Sequence, residues 1–310
     1  MDRTMKDQKY SHVIVVGIDG AGAFIKDANT PNFDRIFKNG AVTYGALASK
    51  PSISAECWGS MLLGVGPEVH KLTNGIVSSA PYPTDSVYPS LFRRIREAMP
   101  EAELGSYCDW NPITAGIVEN NIGVSHDTAR DTVLTPIICK YITEKKPSFL
   151  FIQFDSVDGA GHSNGYGTPN HLKRISEVDE LVNDVYNAAY EAGIIDETLF
   201  MVIADHGGTN PGNGGGSHGG WTDGEKYVTF AAAGKGVQNG SIGEMNIRDL
   251  AAIVLYAFGI DAPDFDEKGW TSQIPEGLFT EPSLPKYRDI SHLTGAEPRI
   301  SKVPHKSELI

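Results

Sequence analysis

No stretch of this chain approaches the roughly 18 to 20 consecutive apolar residues that span a bilayer, so no membrane partner is expected. The opening, Met1–His12, is polar and mixed in charge, without the apolar core or cleavage pattern of a signal peptide. Positive charge is scarce. Against 39 Asp and Glu stand 26 Lys and Arg, a formal net charge of −13 over 310 residues. A chain this acidic repels a phosphate backbone, which excludes a nucleic-acid scaffold as partner. Cysteine is sparse too: Cys57, Cys108 and Cys139 are an odd, scattered set without CxxC spacing, which fits reduced thiols in a cytoplasmic setting. No Gly-x-x-x-x-Gly-Lys-Ser/Thr phosphate loop occurs, which excludes a P-loop NTPase, and no Gly-x-Ser-x-Gly elbow surrounds Ser54, which disfavours a Ser-His-Asp hydrolase.

What is abundant is glycine, 34 of 310 residues against a norm of roughly 7%, much of it beside Asp and His. Three apolar runs have strand character and end in acidic residues. His12–Ile18 leads into Asp19, Ser148–Phe154 into Asp155 and Asp158, and Leu199–Ala204 into Asp205. Continuous apolar runs suit strands covered on both faces, as in parallel sheets. Functional groups in open α/β sheets gather beyond the carboxyl ends of such strands.

Helical patterns lie between. Thr30-Pro31 offers a cap followed by proline at the first helical position, and that segment stops at Gly40. Leu172, Ile175, Val178, Leu181, Val182 and Val185 recur at helical spacing toward Gly193. Asn246 to Phe258 reads as a helix capped by Asn246, and 89–99 as a short helix feeding a strand at 103–107. This alternation predicts one doubly wound, mostly parallel α/β domain over 1–310. The aperiodic stretches 77–88 and 109–131 are expected to form a small cap, and about 271–310 an irregular tail on the surface or partly disordered.

Four places hold the residue types of metal chemistry: Asp19-Gly-Ala-Gly22, Asp158-Gly-Ala-Gly-His162, Asp205-His206-Gly-Gly and Ser217-His218-Gly-Gly. A histidine beside glycine, taken singly, is more often a turn residue than a ligand. Three Asp and three His in this order supply enough hard oxygen and borderline nitrogen donors for two divalent ions. His12, His70, His126, His171, His292 and His305 lack such partners and read as structural or exposed. Ser54, at the cap of a helix over 55–63, is the candidate nucleophile: helix N–H groups favour an alkoxide or phosphate there, and metal would have to activate the hydroxyl. The alternative for Ser54 alone is a plain N-cap. Trp110, beside a strand end, reads as packing, with stacking on a base or ring as the alternative.

These motifs resemble, in order, the alkaline phosphatase superfamily, nearest its type I phosphodiesterase/nucleotide pyrophosphatase branch. The resemblance rests on Gly17-Ile-Asp19-Gly, Pro51-Ser-Ile-Ser54, Gly64-Val-Gly-Pro67-Glu-Val-His70, Asp158-Gly-Ala-Gly-His162, Asp205-His206-Gly-Gly and Gly216-Ser-His218-Gly-Gly. It implies Asp19, Ser54, Asp205 and His206 at one ion and Asp158, His162 and His218 at the other, with zinc the usual metal and manganese or other divalent ions the alternatives. It further implies Asn74 as a holder of a phosphoryl oxygen, and a small phosphorylated substrate hydrolysed through a phosphoseryl intermediate. Phosphodiesterases of the branch generally have threonine where Ser54 stands, which leaves monoester and diester both open. Glu56 and Lys71 also depart from the common pattern. The sulfatase signature is missing around Ser54 and Cys57, and the chain is too short for the inserted domain of a cofactor-independent phosphoglycerate mutase. Phosphonate hydrolysis or phosphoryl transfer on a small metabolite is the alternative reaction, and a non-catalytic metal-binding protein the alternative of another class.

Overall fold

The computed structural model describes residues 8–212, 214–264 and 267–280; the first seven residues and everything from 281 on, including His292 and His305, lie outside the described residues. Seven strands form one sheet: β1 His12–Ile18, β2 Ala41–Leu47, β3 Leu104–Cys108, β4 Val124–Asp127, β5 Phe149–Phe154, β6 Thr198–Ala204 and β7 Tyr227–Ala233. Their order is β2-β7-β6-β1-β5-β3-β4. Strands β4, β3, β5, β1 and β6 run parallel, while β7 is antiparallel to both β6 and β2. The three apolar runs recognised in the sequence are thus β5, β1 and β6, side by side in the middle. Every residue of β5 and β6 is buried, as their unbroken hydrophobicity requires of strands covered on both faces.

The helices form two sets, each packing within itself. One is gathered around the long helix Pro169–Glu191, which meets Pro31–Ile36, Asp131–Lys145 and Ser156–Asn164. The other is gathered around Ser54–Leu63, which meets Pro67–His70, Asn74–Ser79, Pro112–Gly116 and Asp249–Ala257. This is the doubly wound, mostly parallel α/β arrangement that the alternating pattern predicts. No helix among the described residues is long and apolar enough to cross a membrane.

Several local expectations are corrected. Within the stretch expected as part of a cap, 109–131, Val124–Asp127 is the edge strand β4: short and half exposed, it is held by backbone pairing to β3 rather than by an apolar pattern. Strands β2 and β7 carry Ala and Gly, which disguise them as non-strand sequence; their burial against the helices decides their state. Thr30 makes no side-chain cap bond, because Asp179 of the long helix accepts the N–H groups of Asn32 and Phe33 instead. The helix expected from Asn246 starts at Asp249, since the Asn246 carbonyl oxygen Oδ1 accepts from the N–H and Nε of Arg248, and Asp249 accepts the Asn246 N–H. The first part of the expected surface tail is interior. Thr271, Ser272, Gln273 and Ile274 are buried, and the Gln273 N–H donates to Asp249 Oδ1.

Gly17 on β1 exists for the sake of Trp58, whose ring lies 2.5 Å from where a Gly17 Cβ would stand. Trp58 is fully buried and packs edge-on against Phe151 of β5. Gly17→Ala therefore overpacks the joint between the Ser54–Leu63 helix and the sheet and is expected to lower unfolding stability by about 1–3 kcal/mol. Urea unfolding of the two proteins checks this; an unchanged midpoint would mean that the indole moves aside without cost.

Candidate metal centre

Register sets up the site. Ile18 of β1 pairs with Phe154 of β5 on one side and Ala204 of β6 on the other. The next residues, Asp19, Asp155 and Asp205, are therefore level at the carboxyl edge of three adjacent parallel strands. Asp19, Asp205 and His206 bring ligand-type atoms within 4.8 Å of one another, and so do Asp158, His162 and His218. The six Asp and His among the seven sequence candidates for metal ligation come together in two groups. The groups adjoin: the rings of His206 and His218 stack at 3.9 Å, and a Cβ on Gly20 would stand 2.4 Å from Asp158 Oδ1.

The inner group is sealed, with Asp19 at 1% exposure and Asp205 and His206 at 0%. Each carboxylate has one oxygen anchored and one presented. Asp19 Oδ2 accepts from Trp58 Nε1 and from Gln153 Nε2, both at 3.0 Å. Asp205 Oδ1 accepts from the N–H groups of Gly20 and His206. The remaining oxygens, Asp19 Oδ1 and Asp205 Oδ2, are buried without a hydrogen-bond donor, and His206 Nε2 lies 3.5 and 3.2 Å from them. Orphaned buried carboxylate oxygens are costly, and a cation between them and the imidazole removes the cost. Ser54 Oγ joins this group at 3.2 Å from His206 Nε2.

The outer group faces solvent through His162 and His218. Asp158 Oδ2 is 3.1 Å from His162 Nε2, and the Nε2 atoms of His162 and His218 are 3.2 Å apart. All three ligand-type histidines place Nδ1 against a backbone carbonyl: His206 on Gly207 at 2.9 Å, His162 on Gly216 at 3.2 Å and His218 on Ser52 at 2.8 Å. An Nδ1–H donated to a carbonyl leaves the Nε2 lone pair for a metal. Two such lone pairs facing each other need a positive charge between them. The residues present therefore fit two divalent ions, held by Asp19, Asp205 and His206 and by Asp158, His162 and His218.

Ser54 is the first residue of its helix rather than the cap, a position taken by Ile53. Two of the N–H groups expected to face an anion are already used. Ala55 donates to Asn74 Oδ1 and Cys57 to the Ile53 carbonyl. Asn74 is thereby brought to the helix end beside Ser54. Trp110 is part-buried against the core, its N–H on Gln153 Oε1. Glu56 and Lys71 are not among the ligand groups: Glu56 is buried on the Ser54–Leu63 helix, and Lys71 closes the Pro67–His70 helix in a left-handed conformation. The four histidines read as structural or exposed that lie in the described residues join neither ligand group and bond to backbone instead. His70 is buried with Nδ1 accepting from Leu72 N–H, His171 accepts from Gly167 N–H, and His12 and His126 lie on the carbonyls of Pro147 and Val124.

Sequence reasoning passed over Trp58, Gln153, Tyr166 and Asn210. Gln153 had a visible signal, a lone amide in the otherwise apolar β5; it links Asp19 Oδ2 to Asp155 Oδ1. Tyr166, which donates its hydroxyl to Asp158 Oδ1 at 2.5 Å, had none beyond its place between two glycines.

Residues 77–213 match the family described as type I phosphodiesterase / nucleotide pyrophosphatase. That span contains Asp158, His162, Asp205 and His206 and leaves out Asp19, Ser54 and His218, which the fold brings beside them. The chain is 24% identical over 223 residues, 69% of its length, to GPI ethanolamine phosphate transferase 2 of Aspergillus fumigatus. It is 31% identical over 94 residues, 30% of its length, to the protein of the same name from Aspergillus oryzae. The chain spans only 29% and 11% of the length of these two relatives. Murine ectonucleotide pyrophosphatase / phosphodiesterase 5, solved as an inactive variant in complex with AMP, aligns with a TM-score of 0.67 at 16% identity over 83% of this chain and 97% of that one. A 2-O GAG sulfatase aligns with a TM-score of 0.67 at 15% identity, over 94% and 76% of the two chains. The lipoteichoic acid synthase LtaP of Listeria monocytogenes gives 0.60 at 13%, over 84% and 75%. At these identities the structural likeness is one of fold.

The electrostatics follow from crowding acids in a dry pocket. Burial, with Asp205, Asp158 and Asp155 adding repulsion, pushes Asp19 well above the usual carboxylate range. Burial also pushes Asp205 up to about 8, the repulsion of Asp158 adding to it and the Gly20 N–H opposing it. Burial acts on Asp158 in the same sense, but the hydrogen bond with His162 and the neighbouring His206 and Tyr166 outweigh it and hold this group low. The bond to Asp158 raises His162 to about 9, whereas burial lowers His206 and His218. In metal-free protein, folded Asp205 keeps its proton to about pH 8 while the unfolded chain releases it near 4, and folded His162 keeps its own to about pH 9. The folded state then holds the extra protons, so stability is lost as pH rises. Buried neutral His206 and His218 work the other way, but only up to the unfolded histidine value near 6.5. The thermal midpoint of chelator-treated protein is therefore expected to fall between about pH 6.5 and 8, and saturating Zn2+ to abolish the fall. Melting curves across that range, with and without the ion, check it. A midpoint that rises over the same window without metal contradicts the assignment.

Proposed function

We propose, for a chain that belongs to the alkaline phosphatase superfamily and resembles its type I phosphodiesterase/nucleotide pyrophosphatase branch, that it is a two-metal hydrolase of phosphoric esters with Ser54 as nucleophile. The superfamily indicates an enzyme that hydrolyses phosphoric esters or a related one. The observation that carries the finer reading is the pair of orphaned oxygens, Asp19 Oδ1 and Asp205 Oδ2, converging with His206 Nε2 beside Ser54 Oγ. Two divalent ions, zinc in the first instance and manganese as the alternative, would supply Lewis acidity to the serine hydroxyl and to the phosphoryl oxygens. Asp19, Asp205 and His206 hold the inner position, and Asp158, His162 and His218 the outer one. Ser54 Oγ attacks phosphorus, the P–O bond to the leaving group breaks, and the serine proton passes through solvent to the departing alkoxide, leaving an alcohol and a phosphoserine. Water then attacks the phosphoserine, the Ser54 Oγ–P bond breaks, phosphate or a phosphomonoester is released, and a proton from that water restores the hydroxyl. Asn74 keeps Oδ1 on the Ala55 N–H, so its Nδ2 is the group that serves a phosphoryl oxygen.

The substrate in this reading is a small phosphorylated molecule, monoester or diester. The cytoplasmic setting expected from the cysteines is kept as part of it: Cys57, Cys108 and Cys139 are free thiols, the first two buried. A second reading, phosphoryl-group transfer to an alcohol, is favoured by the similarity to the two fungal proteins named as ethanolamine phosphate transferases.

Ser54→Ala is expected to lower kcat on p-nitrophenyl phosphate or bis-p-nitrophenyl phosphate by about 10³-fold or more while leaving bound metal unchanged. Steady-state rates and metal analysis on the same preparations test this, and full activity in the variant would remove Ser54 from the role. Product formed only when an alcohol acceptor is supplied would favour transfer over hydrolysis. Turnover of a phosphonoacetate-type compound in preference to both esters would move the reaction to a C–P bond.

A further inference from the structure

The outer ligand group is organised by a residue that belongs to none of the motifs. Tyr166 is 3% exposed, and its ring fills a space that three glycines leave open. A Cβ on Gly161, Gly208 or Gly216 would stand 2.4, 2.2 and 2.4 Å from the ring atoms of Tyr166. Gly161 precedes His162, Gly208 follows His206-Gly207, and Gly216 lies two residues before His218. The ring is thus wedged among the three segments that carry the ligand-type histidines, with centroids 6.0 Å from His162 and 6.5 Å from His218. Asn210 clamps the backbone on both sides, Oδ1 accepting the Tyr166 N–H at 2.8 Å and Nδ2 donating to its carbonyl at 2.9 Å.

The three site carboxylates differ in how they are anchored. Asp19 has two side-chain donors on its rear oxygen and Asp205 has two backbone donors. Asp158 has, among the described residues, the Tyr166 hydroxyl alone on Oδ1, while Oδ2 faces His162. We infer that Tyr166 is the positioning residue of the outer ion site: its hydroxyl reserves Oδ1 of Asp158, so that Oδ2 alone is presented to a cation, and its ring sets the spacing of His162 and His218. The inference rests on the two-ion reading and adds that the outer ion's affinity is adjustable separately from the inner one's. An outer hydrogen-bond partner of a metal ligand is worth about 10- to 100-fold in metal affinity.

The test is a Zn2+ titration of the chelator-stripped 310-residue protein in competition with a chromogenic chelator, which gives stoichiometry and a Kd for each ion. Wild type is expected to bind two ions. Tyr166→Phe keeps the wedge and deletes only the donor; it is expected to retain one ion at wild-type affinity and to weaken the other by about 10- to 100-fold. Asn210→Ala, which loosens the clamp but keeps the hydroxyl, is expected to weaken the same ion, and it carries the test should the Phe variant not fold. Two ions at wild-type affinity in either folded variant would overturn the inference, as would equal weakening of both ions, which marks a merely structural role. Fewer than two ions on wild type would instead bring down the two-ion reading, and this one with it.

Discussion

Three carboxylates brought level at the ends of adjacent parallel strands, with no Lys or Arg of the described chain paired to them, are the constraint around which this molecule is built. Registers Ile18–Phe154 and Ile18–Ala204 fix the convergence, because parallel pairing carries each chain past the sheet edge at the same height. A low-dielectric pocket magnifies the resulting repulsion, which is why Asp19 and Asp205 hold their protons so strongly in the metal-free chain. The fold can tolerate this arrangement only by leaving acids neutral or by admitting positive charge. Everything nearby is arranged for the second course. One oxygen each of Asp19, Asp205 and Asp158 is tied back, each ligand-type histidine donates its Nδ1–H to a backbone carbonyl, and the free atoms converge.

That dependence runs outward into the core. Trp58 stabilises Asp19 through its indole N–H, yet it can reach Asp19 only because Gly17 leaves β1 bare beneath the ring. The same indole packs against Phe151 and holds the helix whose first residue is Ser54. Core packing and the placement of Ser54 are therefore one interaction seen from two sides. Gln153 plays the corresponding part from β5, its amide shared between Asp19 and Asp155. A polar side chain in the middle of a buried sheet is costly, and here each of its hydrogen-bonding atoms finds a partner.

The legible and illegible parts of the structure divide along physical lines. Strands β5, β1 and β6 were readable because burial on both faces demands unbroken apolar runs, and their acidic ends pointed to the site. That these six Asp and His residues come together was readable because Asp and His at glycine-flanked turns are chemically unusual in combination. Strands β2 and β7 were not, since Ala-rich segments such as Phe230-Ala-Ala-Ala233 carry no strand preference of their own and take their state from neighbours. Tyr166 and Asn210 were hidden for a different reason: their importance lies in contacts across 8 and 44 residues of sequence that only the fold creates. The glycine excess serves more than turns. At Gly161, Gly208 and Gly216 the missing side chain makes room for an aromatic ring rather than for a tight bend around a cation.

The two ligand groups also differ in what must compensate their charge. The inner one is buried, at 0–1% exposure, so protein dipoles and any bound cation carry most of the balance of Asp19 and Asp205. The outer one opens to solvent at His162 and His218, where water can share the task. Charge interactions are strong and insensitive to salt in the first environment and weaker in the second. An inner ion would accordingly be held by electrostatics that the fold cannot easily change. An outer ion would be held by geometry: the direction of one carboxylate oxygen and the spacing of two imidazoles. Geometry of that kind has to come from packing, and the packing against Asp158, His162 and His218 is the ring and hydroxyl of Tyr166.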